Sequence, residues 1–176
     1  MSARSTTTAP LKVIAYSPAV TDHELMGLAL DEASAAVGHD DVPVGAVVVG
    51  PGGMILSRRH NERELRRDPT SHAEMLALRD AASALGSWRL IGCTVVVSLE
   101  PCPMCAGALV AARAARLVFG APDPKAGAAG SLYNLCTDPR LNHELAVTPG
   151  VRAKEVTAML VEFFASHRDP THDQPA

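Results

Sequence analysis

The chain has 176 residues, 47% of them apolar and 20% charged, with 16 Lys and Arg against 19 Asp and Glu for a net charge of −3. That is enough chain for one domain with a real core, and the charge balance excludes a disordered polyelectrolyte and argues against a general nucleic-acid binder while leaving room for a local basic patch. Four cysteines are too few for a disulfide scaffold, and no uncharged apolar run reaches the ~18 residues of a membrane span.

Residues 1–20 lack a secretory-type apolar segment with a small-residue cleavage site, so they read as a disordered or loosely packed leader, and the cytoplasm is the expected compartment. Thr21-Asp22-His23-Glu24 has the form of a capping box, and Leu25, Leu28, Ala29 and Ala36 recur at helical spacing, which predicts a helix over 22–37. Val44 to Val49 and Met54 to Ser57 read as a hairpin around the turn Gly50-Pro51-Gly52-Gly53. Residues 57–69 are polar, end in Asp-Pro and read as a loop; Thr70 or Ser71 then caps a helix to about Leu85. Cys93 to Ser98 is a continuous apolar strand, Pro101 is placed to open a helix from about Cys102 to Arg113, and Leu117 to Phe119 is another strand. A Gly/Ala/Pro-rich loop spans 121–131. In the last helix Val156, Met159, Leu160, Phe163 and Phe164 follow the amphipathic rule, and the tail from Asp169 is polar and frayed. Helices alternating with short buried strands imply a partly parallel sheet sandwiched by helices, without repeats or linkers.

The chemistry-bearing residues are His72-Ala73-Glu74 and Pro101-Cys102-Pro103-Met104-Cys105, each at a predicted helix start. A helix N-terminus stabilises thiolate through its dipole and free N–H groups. Two Cys and one His make a three-ligand Zn²⁺ site, which leaves a fourth position for water and so points to catalysis. Glu74 lies about 200° around an ideal helix from His72, yet in the first turn both side chains can reach a site off the helix end. Taken alone, a C-x-x-C is often a redox dithiol or half of a structural zinc site, and H-x-E means little. Their combination, in that order and with one strand between, makes the bland reading remote. Cys93 and Cys136 read as core thiols.

H-x-E followed by P-C-x-x-C resembles the signature of the zinc-dependent cytidine/nucleobase deaminase superfamily. The segments 41–49, 67–79, 98–132 and 141–147 further resemble the bacterial tRNA-specific adenosine deaminases, the likeness running over roughly 22–168, with D-P-K-x-G-A-A-G-S as its specific part. The resemblance implies a three-layer α/β/α fold with a five-stranded mixed sheet. It implies one zinc held by His72, Cys102 and Cys105, with Glu74 as proton shuttle in converting adenosine to inosine at wobble position 34 of a tRNA anticodon. It also implies that Asn61 hydrogen-bonds the flipped base, that Pro43 and Val44 form the pocket wall, and that the Ala73 N–H faces the same pocket. Asp123 and Lys125 would meet the nucleotide backbone, and Phe164 the neighbouring bases. A homodimer is the implied assembly, the partner helping to build the substrate groove. Deamination of a free base such as guanine or cytosine is the rival activity, and a non-catalytic zinc-stabilised binding domain the rival class. Arg58, Arg59, Arg63, Arg66 and Arg67 before His72, with Arg113 and Arg116, suggest a positive rim for RNA, against the alternative of solvated surface. The C-terminal end departs from the family, offering only His167 and Arg168 before Asp169 and Asp173.

Overall fold

The computed structural model describes residues 20–167, so the predicted leader (1–20, apart from Val20) and the tail (169–176) lie outside the described residues. Helix α1 (Asp22–Val37) opens on the expected capping box: the Thr21 hydroxyl accepts from the Glu24 N–H at 3.2 Å, and the Glu24 carboxylate accepts from the Thr21 N–H at 2.8 Å. Strands β1 (Gly45–Val49) and β2 (Ile55–His60) form the hairpin, with Gly52 and Gly53 at positive φ in the turn. β2 runs further than its sequence suggests, because Arg58, Arg59 and His60, read as loop, pair with β1 at the sheet edge. Charged side chains suit an edge strand, and their polarity hides it. A short α2 (Arg63–Arg66) follows, also within the stretch read as loop.

Then come α3 (Ala73–Leu85), β3 (Thr94–Leu99), α4 (Pro103–Ala111), β4 (Arg116–Ala121), β5 (Ala146–Thr148) and α5 (Ala153–Ser166). The N-cap of α3 is His72, not Thr70 or Ser71, because Asp68 captures both hydroxyls at 2.7 Å. Likewise α4 starts one turn position later than expected, with Cys102 as N-cap and Pro103 at the first helical position.

The sheet order is β2-β1-β3-β4-β5, antiparallel across β2, β1 and β3 and parallel across β3, β4 and β5. This is the expected five-stranded mixed sheet. Alternate residues face opposite layers. Ala46, Val48, Val95, Val97 and Leu117 pack with α3 and α4, while Val47, Val49, Val96 and Val118 pack with α1 and α5. Both faces being covered, β1 reads as unbroken apolar sequence, and each buried valine is worth about 1.5–3 kcal/mol. Gly45 is needed for that packing, since a Cβ there would run into the Ala29 carbonyl of α1. Among the described residues no helix is long and apolar enough to cross a membrane.

The strand directions gather one set of chain ends. β1 enters the sheet at the edge where β2, β3 and β4 leave it, so Val42 to Val44, Asn61, Glu100 to Cys102 and Asp123 all lie along that edge. In open α/β sheets, ligands bind outside the carboxyl ends of such strands.

Candidate active site

The first turns of α3 and α4 point into this edge. His72 Nδ1 lies 3.7 Å from Cys102 Sγ and 3.6 Å from Cys105 Sγ, and the ligand atoms of the three residues all fall within 4.8 Å of one another. A tetrahedral zinc with ordinary Zn–S and Zn–N bonds separates its nitrogen and sulfur ligands by about 3.6 Å. The donor set therefore fits that ion in both chemistry and spacing.

The electrostatics are set by proximity. The Cys102 thiol is pulled down to about 4 by hydrogen bonding from Cys105 and, against the cost of burial, from His72. Cys105 moves up, because a single proton is held between the two sulfurs and its surroundings are buried and acidic. His72 is raised, chiefly by its contact with the Cys102 sulfur and then by the Glu74 charge. Glu74 is only 4% exposed, and burial pushes its carboxyl above the usual range. A carboxyl in such surroundings exchanges protons nearer neutrality than a solvated one does.

His72, Glu74 and Cys102 border a cavity of about 160 Å³, lined also by Val42, Val44, Asn61, Ala73, Leu99 and Asp123. A protein cavity of ~150 Å³ takes a benzene ring, so this one suits the planar base of a nucleoside whose sugar remains in the open mouth. Asn61 donates from Nδ2 to the Val42 carbonyl at 3.3 Å, while its Oδ1 is buried without a donor. Ala73 is the first residue of α3, so its N–H has no intrahelical acceptor. Pro43 is buried and does not line the cavity; the flanking Val42 and Val44 do, as alternation along an extended segment requires. Lys125 and Phe164 border a second hollow of about 460 Å³ with Thr157, Leu160, Val161 and His167. The Phe164 ring is 49% exposed there, outside the core that its helical spacing suggests.

A family model of the cytidine and deoxycytidylate deaminase zinc-binding region matches residues 19–121. The tRNA-specific adenosine deaminase of Bacillus subtilis (strain 168) is 48% identical over 150 residues, covering 85% of this chain and 92% of that protein. The chain belongs to the tRNA-specific adenosine deaminase family. A solved structure from work on A-to-I editing by tRNA:A34 deaminases at the wobble position of transfer RNA superposes with a TM-score of 0.74 at 42% identity, covering 77% of this chain and 98% of that one. The guanine deaminase of Nitrosomonas europaea gives 0.75 at 25% identity, over 88% of each chain. The backbone is thus common to both activities, and it is sequence that separates them. Zinc is the cofactor of this family, and the chemistry and spacing of the three ligands fit it.

The arginines of this family member are mostly committed within the fold. Arg58 pairs with Glu32 at 3.1 Å, Arg59 with Asp80 at 2.6 Å, Arg66 with the buried Glu62, and Arg116 with Asp22 at 2.6 Å. Arg113 donates to the Asn142 carbonyl at 3.1 Å. Only Arg63 of this set lines the cavity, and its partner is the exposed Glu64, a pairing worth little in water. Val42, Leu99, Arg63, Glu100 and Ala126 are cavity residues that sequence reasoning did not assign to the pocket. None of them carries a local signal, Glu100 included, which simply follows the apolar run TVVVSL.

Proposed function

We propose that this protein is a zinc-dependent hydrolase that converts adenosine to inosine at wobble position 34 of a tRNA anticodon. The observation that carries the reading is the placement of a buried, proton-avid Glu74 and an unfilled Asn61 acceptor around one base-sized cavity at the His72, Cys102 and Cys105 site. Similarity to the Bacillus subtilis enzyme supports the substrate. When held by His72, Cys102 and Cys105, zinc supplies the Lewis acidity that makes water a competent nucleophile near neutral pH. Glu74 takes the proton lost by the attacking water and delivers it to adenine N1 as a C–O bond forms at C6. It then takes the proton of the new C6 hydroxyl and hands it to the amine as the C6–N6 bond breaks and the carbonyl forms, so that one water is consumed and one ammonia released. Asn61 holds the base through its unfilled oxygen, Val42 and Val44 form the wall, and the Ala73 N–H supplies a further donor. Asp123 and Lys125 meet the nucleotide backbone, and the exposed Phe164 ring offers a stacking surface to neighbouring bases.

The deciding experiment offers the zinc-loaded protein an anticodon stem-loop, free guanine and free cytosine in parallel. Inosine at position 34 with both free bases untouched is the expected result; turnover of a free base with the stem-loop unchanged moves the protein to the small-molecule deaminases. In the same assay Arg63→Gln lowers stem-loop affinity and flattens log K against log salt by about 0.7–0.9, the counterion release of one phosphate contact. Arg59→Gln leaves that slope unchanged, its charge being neutralised by Asp80.

We further infer a cytoplasmic homodimer. An apolar hollow between α3 and α4, lined by Met75, Leu78, Ala82, Trp88 and Ala108, supports an assembled partner, with Trp88 58% exposed beside it.

A further inference from the structure

We propose that Glu100 is a positioning residue whose carboxylate ties the turn carrying Cys102 to the 123–131 loop and so sets that loop against the cavity mouth. The proposal rests on the substrate reading above and goes beyond it to a residue with no part in proton transfer.

Glu100 follows the last residue of β3, donates its N–H to the Ala121 carbonyl at 2.9 Å, and is 2% exposed. Its two oxygens collect four donors from a single loop. Oε1 accepts from the Ala129 N–H at 3.0 Å and the Ser131 N–H at 2.9 Å; Oε2 accepts from the Asp123 N–H at 3.0 Å and from the Ser131 hydroxyl. The adjacent Pro101 carbonyl accepts a fifth, from Ala128 at 2.8 Å. Gly127 lets the loop close this far, since a Cβ there would stand 2.5 Å from Glu100 Oε2.

A carboxylate so occupied has no lone pair facing the cavity for a reacting group, although the residue borders it. Its effect must pass through the loop. Asp123, the residue it holds by the N–H, lines the cavity, and Ala126 lines it from the same loop. Buried donors left without an acceptor are costly, and charge-assisted hydrogen bonds are the stronger kind. Removing the charge therefore releases the loop before it disturbs the sheet beneath.

Glu100→Gln is the direct test in the full zinc-loaded chain. The amide oxygen can still serve Ala129 and Ser131, and the Ser131 hydroxyl can turn to accept from the new NH₂ group. The Asp123 N–H is then the donor left over. Hydrogen exchange at Asp123 is expected to rise about tenfold or more, with a smaller change at Ala129, and KM for the stem-loop to rise about tenfold. Zinc content is unchanged and kcat stays within about threefold. Ser131→Ala removes one donor while leaving the backbone bonds, and gives a smaller KM rise in the same direction. Unchanged exchange and KM in Glu100→Gln overturn the proposal, and so does a fall in kcat at constant KM. Should Glu100→Gln not fold, an unchanged KM in Ser131→Ala overturns it. Should the wild-type protein not turn over the stem-loop, the substrate reading falls, while the exchange measurement still decides whether Glu100 holds the loop.

Discussion

Glu74→Gln gives a folded, zinc-loaded protein whose deamination rate is down by about 10²–10⁴-fold, the ordinary cost of losing acid–base catalysis. Glutamine preserves the shape and hydrogen bonding of the side chain but cannot carry a proton between water, ring nitrogen and leaving amine. The fold has no reason to suffer. Glu74 is almost wholly buried and forms no ion pair with Lys or Arg among the described residues, so the substitution removes a charge whose burial is unfavourable. Thermal stability should hold or rise, and zinc per chain should stay at one. Metal analysis, a melting curve and single-turnover kinetics on the stem-loop separate these quantities. A near-normal single-turnover rate would remove Glu74 from the mechanism.

How much of this could be read from the sequence depended on how local each signal was. The capping box at Thr21 and Glu24 and the spacing of Val156, Met159 and Phe163 lie within a few residues, and both helices formed where these cues place them. β1 and β3 were legible because helices cover both faces of the sheet, which makes their sequences apolar without interruption. β2 beyond Ser57 was not legible: at an edge, pairing with one neighbour overrides the preference of Arg58 and Arg59 for a loop. Three-residue β5, with Ala146 exposed, has too little apolar pattern to announce itself.

The zinc site could be read because its residues sit at short fixed spacings and helix starts carry their own chemistry. The arginine rim could not, since whether an arginine is free depends on acids distant in sequence, such as Asp80 for Arg59 and Asp22 for Arg116. Glu100 shares that limitation. An acid before Pro-Cys is unremarkable until the chain returns after some thirty residues and supplies Ala129 and Ser131 as its partners.

The same preformed framework decides what loss of the metal does. Cys102→Ser and Cys105→Ser are each expected to lose zinc and activity together, because a hydroxyl is a much poorer zinc ligand than a thiolate. They should differ in stability. Cys105 is fully buried beside Glu74 and the Cys102 sulfur, so its serine holds a hydroxyl cut off from water, whereas half-buried Cys102 keeps access to it. The melting temperature should therefore fall further in Cys105→Ser. In the wild-type protein a chelator should abolish activity and lower the melting temperature by the linkage of zinc to the native state, yet leave the far-ultraviolet dichroism intact. The core clusters on both faces of the sheet include none of His72, Cys102 and Cys105. Zinc readdition then restores turnover. A chelated chain that unfolds outright instead assigns the metal to a structural role, as in domains folded only when metal is bound, and full zinc in either serine variant overturns this set of ligands.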